Sequence, residues 1–195
     1  MNTSEWRPAI VLLLAMTVVT GVLYPLAITG VANVAFADAA GGSLIEIDGK
    51  PVASRLIGQS FTDPKYFWSR PSATAPSAYN AAASSGSNQG PLNPALTDAV
   101  KSRVEAMRAA HPDQAGRVPV DLVTASASGL DPHVSVAGAQ YQIERVARVR
   151  GLPVEKVREL VAAHSEGRAV GLFGEPRVNV VELNLALDAM AGGTR

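Results

Sequence analysis

Thirty consecutive residues, Pro8 to Ala37, contain no Asp, Glu, Lys, Arg or His. Leu, Val, Ile and Ala dominate the stretch "AIVLLLAMTVVTGVLYPLAITGVANVAF". A helix needs about 20 apolar residues to cross the hydrocarbon of a bilayer, and this run is longer than that. In hydrocarbon every backbone N–H and C=O has to be paired within the segment, so the run can cross only as a helix. Pro25 removes one of those bonds and crowds the carbonyl of Gly21, which predicts a kink near Pro25. Trp6 stands where an interfacial aromatic belongs. Arg7 and the terminal amine lie before the run, and the next basic residue is Lys50. The positive-inside rule then puts a short N-terminus, residues 1–8, in the cytoplasm, a single span over 9–36, and the rest outside.

A cleaved signal peptide is the competing reading. Ala35 to Ala37 resembles an A-x-A cleavage site, which would leave a secreted binding domain with no transporter role. The apolar run, however, is about twice the ~7–15 residues of a signal core.

Residues 37–195 have the length of one domain. Ser43 to Phe61 reads as β structure, with Asp48-Gly49 as a hairpin turn. Asp63 to Ala73, "DPKYFWSRPSA", holds three adjacent aromatics, Tyr66, Phe67 and Trp68. They read either as a buried strand or core plug, or as an exposed docking patch. Asn93 and Pro94 open a helix that ends near His111-Pro112. Arg117 to Ser128 reads as a strand running into a Ser-rich turn. Ser135 caps a second helix stopped by Gly151; Pro153 opens a third, closed by Gly167. Asn179 caps a last helix with a broad apolar stripe. The order predicts a single soluble mixed α/β (α+β) domain on one N-terminal transmembrane helix.

Composition narrows the chemistry. Lys plus Arg is 17 and Asp plus Glu is 17, so there is no basic surplus for a nucleic acid. The absence of Cys excludes disulfides, thiolate metal sites and Cys nucleophiles. The three histidines, His111, His133 and His164, are far apart and carry no metal-ligand spacing; His111 and His164 read as helix-end caps. Ser126, Ser128, Asp131 and His133 crowd together, but a tight turn accounts for them better than a triad does, and no G-x-S-x-G elbow exists. No residue is nominated as catalytic. Pro71 to Thr97 carries no charge at all, and "SSGSNQGP" offers hydroxyls, amides and glycines without a Lys for phosphate. Residues 71–92 therefore read as a docking segment. Arg177, just before a helix N-terminus, reads as an anion contact or as half of a strand-end ion pair with Glu175 or another carboxylate.

The blocks "LIGQSF", "YFWSRPSA", "YNAAASSGSNQGP", "VPVDLVTASASGLDPHVS", "RVARVRGL" and "GEPRVNVVELNLAL" resemble the KdpC family, the C subunits of the Kdp potassium-transporting ATPases. They occur in the family's order after one N-terminal span. The resemblance implies an accessory subunit of a bacterial inner-membrane complex that imports K⁺ at the expense of ATP. Its partners would be a channel-like A subunit, a P-type ATPase B subunit, a small F subunit and the lipid bilayer. The family is described as a catalytic chaperone that raises the ATP affinity of the B subunit. It binds no cofactor tightly, and ATP would be met only in complex with that subunit. On that description Ser85, Ser87 and Gln89 would touch nucleotide, with Asn88, Arg70 and Arg177 as further nucleotide or docking candidates. The charge asymmetry puts Gln89 on the side away from cytoplasmic ATP, where Ser85 to Pro91 would instead order against the A subunit near the K⁺ entrance.

Overall fold

The structure, a computed structural model, describes residues 5–192. Residues 1–4 of the anticipated N-terminal segment lie outside the described residues. The chain divides into two compact units, Met1–Val52 and Ala53–Arg195.

The first unit is dominated by one apolar helix, Trp6–Ala35, with a mean hydropathy of 2.3 over its most apolar window and no part of that window buried. At 1.5 Å per residue it is about 45 Å long, more than the ~30 Å hydrocarbon core requires. It consists of α1 (Trp6–Val18), a π turn (Val19–Leu23) and α2 (Tyr24–Ala35). The π turn lies immediately before Pro25, because a proline's missing donor and bulky ring act on the preceding turn, and a widened turn relieves both. Two hydroxyls within the helix are satisfied locally. Thr17 Oγ1 donates to Leu13 O and Thr20 Oγ1 to Met16 O, each at 2.7 Å. That is what an apolar surround demands of a polar side chain. After the short α3 (Ala37–Ala40), β1 (Leu44–Ile47) and β2 (Lys50–Ser54) form a two-stranded sheet. Asp48 (φ 52°) and Gly49 (φ 71°) are both left-handed, the signature of a type I′ hairpin turn.

The second unit packs α4 (Pro94–Ala110), α5 (Val136–Arg150), α6 (Val154–Ala163) and α7 (Val180–Gly192) with a three-stranded antiparallel sheet. The strands are β3 (His133–Ser135), β4 (Ser165–Glu166) and β5 (Arg177–Asn179), in the order β3-β5-β4. Val134 lies opposite Val178, and both are buried. Each of β3 and β5 runs directly into a helix, and the joint is a cap. Ser135 Oγ accepts from Gly138 N at 2.9 Å. Asn179 Oδ1 accepts from Val181 N at 3.0 Å and Glu182 N at 3.2 Å. Asn93 Oδ1 accepts from Ala95 N at the head of α4, and Gly151 closes α5 at φ 65°. The core is Phe67, Val146, Val157, Val178, Leu183 and Leu187, with their neighbours.

Two assignments differ from the sequence reading. Arg117 to Ser128 is not a strand. Pro119 precedes a 3₁₀ turn (Val120–Leu122), and the turns and bends that follow it join no ladder. Helix α6 stops at Ala163, short of Gly167. His164 Nδ1 meets Leu160 O at 2.9 Å and Ser165 Oγ donates to Val161 O at 2.7 Å, so side chains take up the last carbonyls. Residues 165–166 are then free to pair with β5.

The aromatic block is a core plug and not a strand. Phe67 is wholly buried. Its N–H donates to Asn184 Oδ1 and its carbonyl accepts from Asn184 Nδ2, both at 2.9 Å. Trp68 N–H donates to Gln142 Oε1 at 2.7 Å, and Trp68 O accepts from Gln142 Nε2 at 3.1 Å. Two carboxamides thus do for this segment what a neighbouring strand would do, which is why buried backbone survives there without a ladder.

Candidate functional site

The uncharged segment 71–92 begins where the aromatic plug ends, and its first half is bonded down. Pro71 O accepts from Ser126 N at 3.3 Å. Ser72 Oγ donates to Gly129 O at 2.7 Å and accepts from Tyr79 N at 3.0 Å. Thr74 Oγ1 donates to Ser77 O and accepts from Asn80 N. Tyr79 OH reaches back to Arg70 O at 2.5 Å. These bonds hold Tyr79 at φ 58°, a conformation an aromatic residue rarely adopts. Asn80 Oδ1 accepts from Ala82 N and so starts the 3₁₀ turn Ala81–Ala83.

The segment then crosses the turn that follows residue 125. Ser84 Oγ and Ser85 N both donate to Ser128 O at 3.0 Å. Two glycines make that approach feasible. A Cβ on Gly86 would stand 2.7 Å from Ala127 O, and one on Gly129 (φ 69°) would stand 2.7 Å from Ser85 O. The turn itself is built by Ser126 Oγ, which accepts from Gly129 N, and Ser128 Oγ, which accepts from Leu130 N. Ser126, Ser128, Asp131 and His133 are thus turn-forming groups.

Beyond Ser85 the character changes. Ser87 and Asn88 are exposed, Gln89 is half-buried, and Asn88 adopts φ 50°. Among the described residues their side chains take no hydrogen-bond partner. The chain is caught again at Asn93, whose N–H donates to Gly90 O at 3.0 Å and whose side chain caps α4. Residues 87–92 are a neutral, hydrogen-bond-competent edge clamped at both ends, with Leu92, beside Asn93, 95 % exposed.

The two arginine candidates meet elsewhere. Arg70 and Arg177 line one cleft of about 310 Å³ with Asp121, Asp131, His133 and Glu175. Ser85, Ser87, Asn88 and Gln89 do not line it. Both guanidiniums are engaged by carboxylates. Arg70 Nη1 lies 3.0 Å from Asp131 Oδ2, and Arg177 Nε lies 2.9 Å from Glu166 Oε2. Glu175 pairs instead with Arg168 at 2.9 Å. Asp131 also accepts from His133 N at 3.0 Å and lies 3.2 Å from its Nδ1. Burial pushes the Asp131 carboxyl up, but the His133 hydrogen bonds and the Arg70 charge outweigh it and hold the group below the usual carboxylate range. Asp121, which composition alone did not single out, accepts from Ser135 N at 2.6 Å and Ser135 Oγ at 3.0 Å, fixing the cap of α5. An anion entering this cleft would have to displace a carboxylate. Among the described residues no three His, Asp or Glu side chains are grouped to hold a metal ion.

His111 and His164 sit at helix ends, their Nδ1 atoms 2.7 Å from Met107 O and 2.9 Å from Leu160 O. The ties of Ser72 to Gly129 and of Ser85 to Ser128 left no trace in spacing, because each joins residues brought together only by the fold.

Sequence comparison places this architecture. The family model for KdpC, the c chain of the K⁺-transporting ATPase, matches residues 6–189. The potassium-transporting ATPase KdpC subunit of Polaromonas naphthalenivorans is 66 % identical over 184 residues, covering 94 % of each chain. That of Dechloromonas aromatica is 63 % identical over 185 residues, 95 % of this chain and 97 % of the relative. The Variovorax paradoxus subunit is 63 % identical over 95 % of this chain and 96 % of the relative. The match spans the apolar helix, the bonded loop and the α/β core together, and the chain belongs to the KdpC family of K⁺-transporting ATPase c chains.

Proposed function

We propose that the chain works by contact: a single-pass accessory subunit of a K⁺-importing ATPase whose edge 85–91 docks on a partner subunit. The observation that carries this reading is the contrast within one loop. Ser72, Thr74, Tyr79, Asn80 and Ser84 use their polar groups on the domain's own backbone, while Ser87, Asn88 and Gln89 leave theirs without a partner among the described residues. A pre-ordered edge loses little entropy on binding.

The partner is the channel-like A subunit, and the folded unit lies on the extracytoplasmic face of the inner membrane with the N-terminus in the cytoplasm. Arg7 before the span and the absence of basic residues up to Lys50 support that orientation. Neutrality of the edge has a physical reason beside a K⁺ entrance. A fixed cation would repel the ion and a fixed anion would retain it, whereas amides and hydroxyls do neither strongly. Assembly with the A, B and F subunits then raises the ATP affinity of the ATPase subunit indirectly, as a catalytic chaperone that holds the complex in its competent form. Direct nucleotide contact by Ser85, Ser87 and Gln89 is the rival reading. The carboxylate partners of Arg70 and Arg177 speak against a ready phosphate site.

The test is a charge placed on the edge of the assembled complex. Ser87→Lys or Asn88→Lys should raise the apparent KM for K⁺ more than that for ATP. A change confined to the ATP parameter would favour the nucleotide reading and overturn this one.

A further inference from the structure

Between β4 and β5 the chain makes a tight apolar tip. Ala169 and Phe173 form an isolated antiparallel bridge, with Ala169 N donating to Phe173 O at 2.8 Å and Phe173 N to Ala169 O at 3.0 Å. Gly171 N donates to Arg168 O at 3.0 Å and Leu172 N to Ala169 O at 3.1 Å. The tip is therefore built by its own backbone bonds. Yet it turns its apolar side chains outward: Val170 is 89 % exposed, Leu172 75 % and Phe173 70 %. Val170 also adopts φ 54°, a left-handed conformation that a β-branched residue resists. A strained backbone that presents three large apolar groups to water is disfavoured in a free domain twice over, and such strain gathers where a contact uses it.

The base of the hairpin is charge-neutral. Arg168 pairs with Glu175, and Arg177 with Glu166, each at 2.9 Å. No net charge is left to attract an acidic or basic partner, so recognition has to be apolar. A chain anchored in a bilayer keeps its folded part at high effective concentration near lipid, and the anchor here is the exposed apolar helix Trp6–Ala35. Under that condition three side chains suffice for a contact that would be negligible from free solution.

We propose that Val170, Leu172 and Phe173 insert into the headgroup–acyl boundary of the bilayer that holds the anchor, giving the folded unit a second lipid contact. This requires a membrane anchor but not a particular orientation, and it is independent of the docking edge at 85–91.

The full chain, reconstituted alone in nanodiscs of zwitterionic phosphatidylcholine with or without acyl-chain bromines, provides the test. Phe173→Trp is compared with the parent chain, whose Trp6 and Trp68 give the background. The added emission should be blue-shifted in plain lipid and largely lost in brominated lipid. Both effects should persist in about 1 M salt, where the Debye length is about 3 Å. Leu172→Trp reads the same tip independently if the first variant misfolds. Equal emission in the two lipids, with quenching by aqueous iodide, would overturn the proposal. Shielding that appears only when partner subunits are added would also overturn it, and would assign the tip to a protein contact.

Discussion

Arg145 donates its Nε–H to Nε2 of His111 at 2.9 Å, a hydrogen bond between a buried guanidinium and a buried, neutral imidazole. The direction is fixed by chemistry, because the guanidinium has no acceptor. His111 Nε2 must therefore accept, and its proton sits on Nδ1, 2.7 Å from Met107 O. The rest of the guanidinium donates to Tyr66 O, Pro64 O and Gln142 Oε1, and its Cζ lies 4.1 Å from the Trp68 ring centroid. One cation thereby fastens the aromatic plug from which the uncharged segment 71–92 departs. Burial pulls Arg145 down to about 10, which still leaves it charged at neutral pH.

That pair makes stability sensitive to acid. Burial depresses His111 below imidazole's ordinary 6.5, with the charges of Arg145 and Arg148 acting in the same direction. Well above pH 6.5 the group is neutral in both folded and unfolded chain, and its contribution is complete. As pH falls below 6.5 the unfolded chain takes up a proton that the folded one refuses, so stability declines toward the lower folded value. The slope is at most about 1.4 kcal/mol per pH unit for one group. Urea unfolding between pH 7 and 5 should show the decline in the parent chain and a shallower one in His111→Gln.

Replacing Arg145 should be severe. Arg145→Met strands the carbonyls of Pro64 and Tyr66 and should cost about 3 kcal/mol or more. Arg145→Lys should not restore the parent midpoint, since an ammonium lacks the planar fork that reaches three directions at once. Denaturant midpoints of the three chains decide it.

Asn184→Leu preserves size and removes both bonds to Phe67. Two buried main-chain groups are then unsatisfied, a loss of about 2–6 kcal/mol, at about 1–3 kcal/mol per stranded buried group. Near-parent thermal stability of this variant would show that the carboxamide does not substitute for a strand.

Gly129→Ala tests the clamp under the neutral edge 87–92. A left-handed φ and a 2.7 Å approach to Ser85 O leave no room for a methyl group. The expected destabilisation is about 1–3 kcal/mol. Hydrogen exchange at Ser85 N–H, which bonds to Ser128 O, should accelerate more than exchange in α5.

Much of this was legible locally. Asn93, Ser135, Gly151 and Asn179 punctuate helices through contacts within a few residues, and the apolar run declares its helix by length alone. The strands were harder, because β3, β4 and β5 are only two or three residues long and no periodicity develops over so short a span. The plug could be seen as aromatic but not explained, because its partners are remote. Gln142 lies 74 positions from Trp68, and Asn184 lies 117 from Phe67. The edge 87–92 was visible as neutral and polar. What divides it into a bonded half and a presented half is the fold of residues 126–130, which composition does not encode.

Contact on the outer face is tested most directly by labelling. The chain has no native Cys, so Ser87→Cys gives a single thiol. A membrane-impermeant maleimide should modify it in intact spheroplasts when the chain is expressed alone, and modification should fall when the other subunits are co-expressed. Labelling that appears only after the membrane is broken, or that is indifferent to the partners, would contradict docking at this edge.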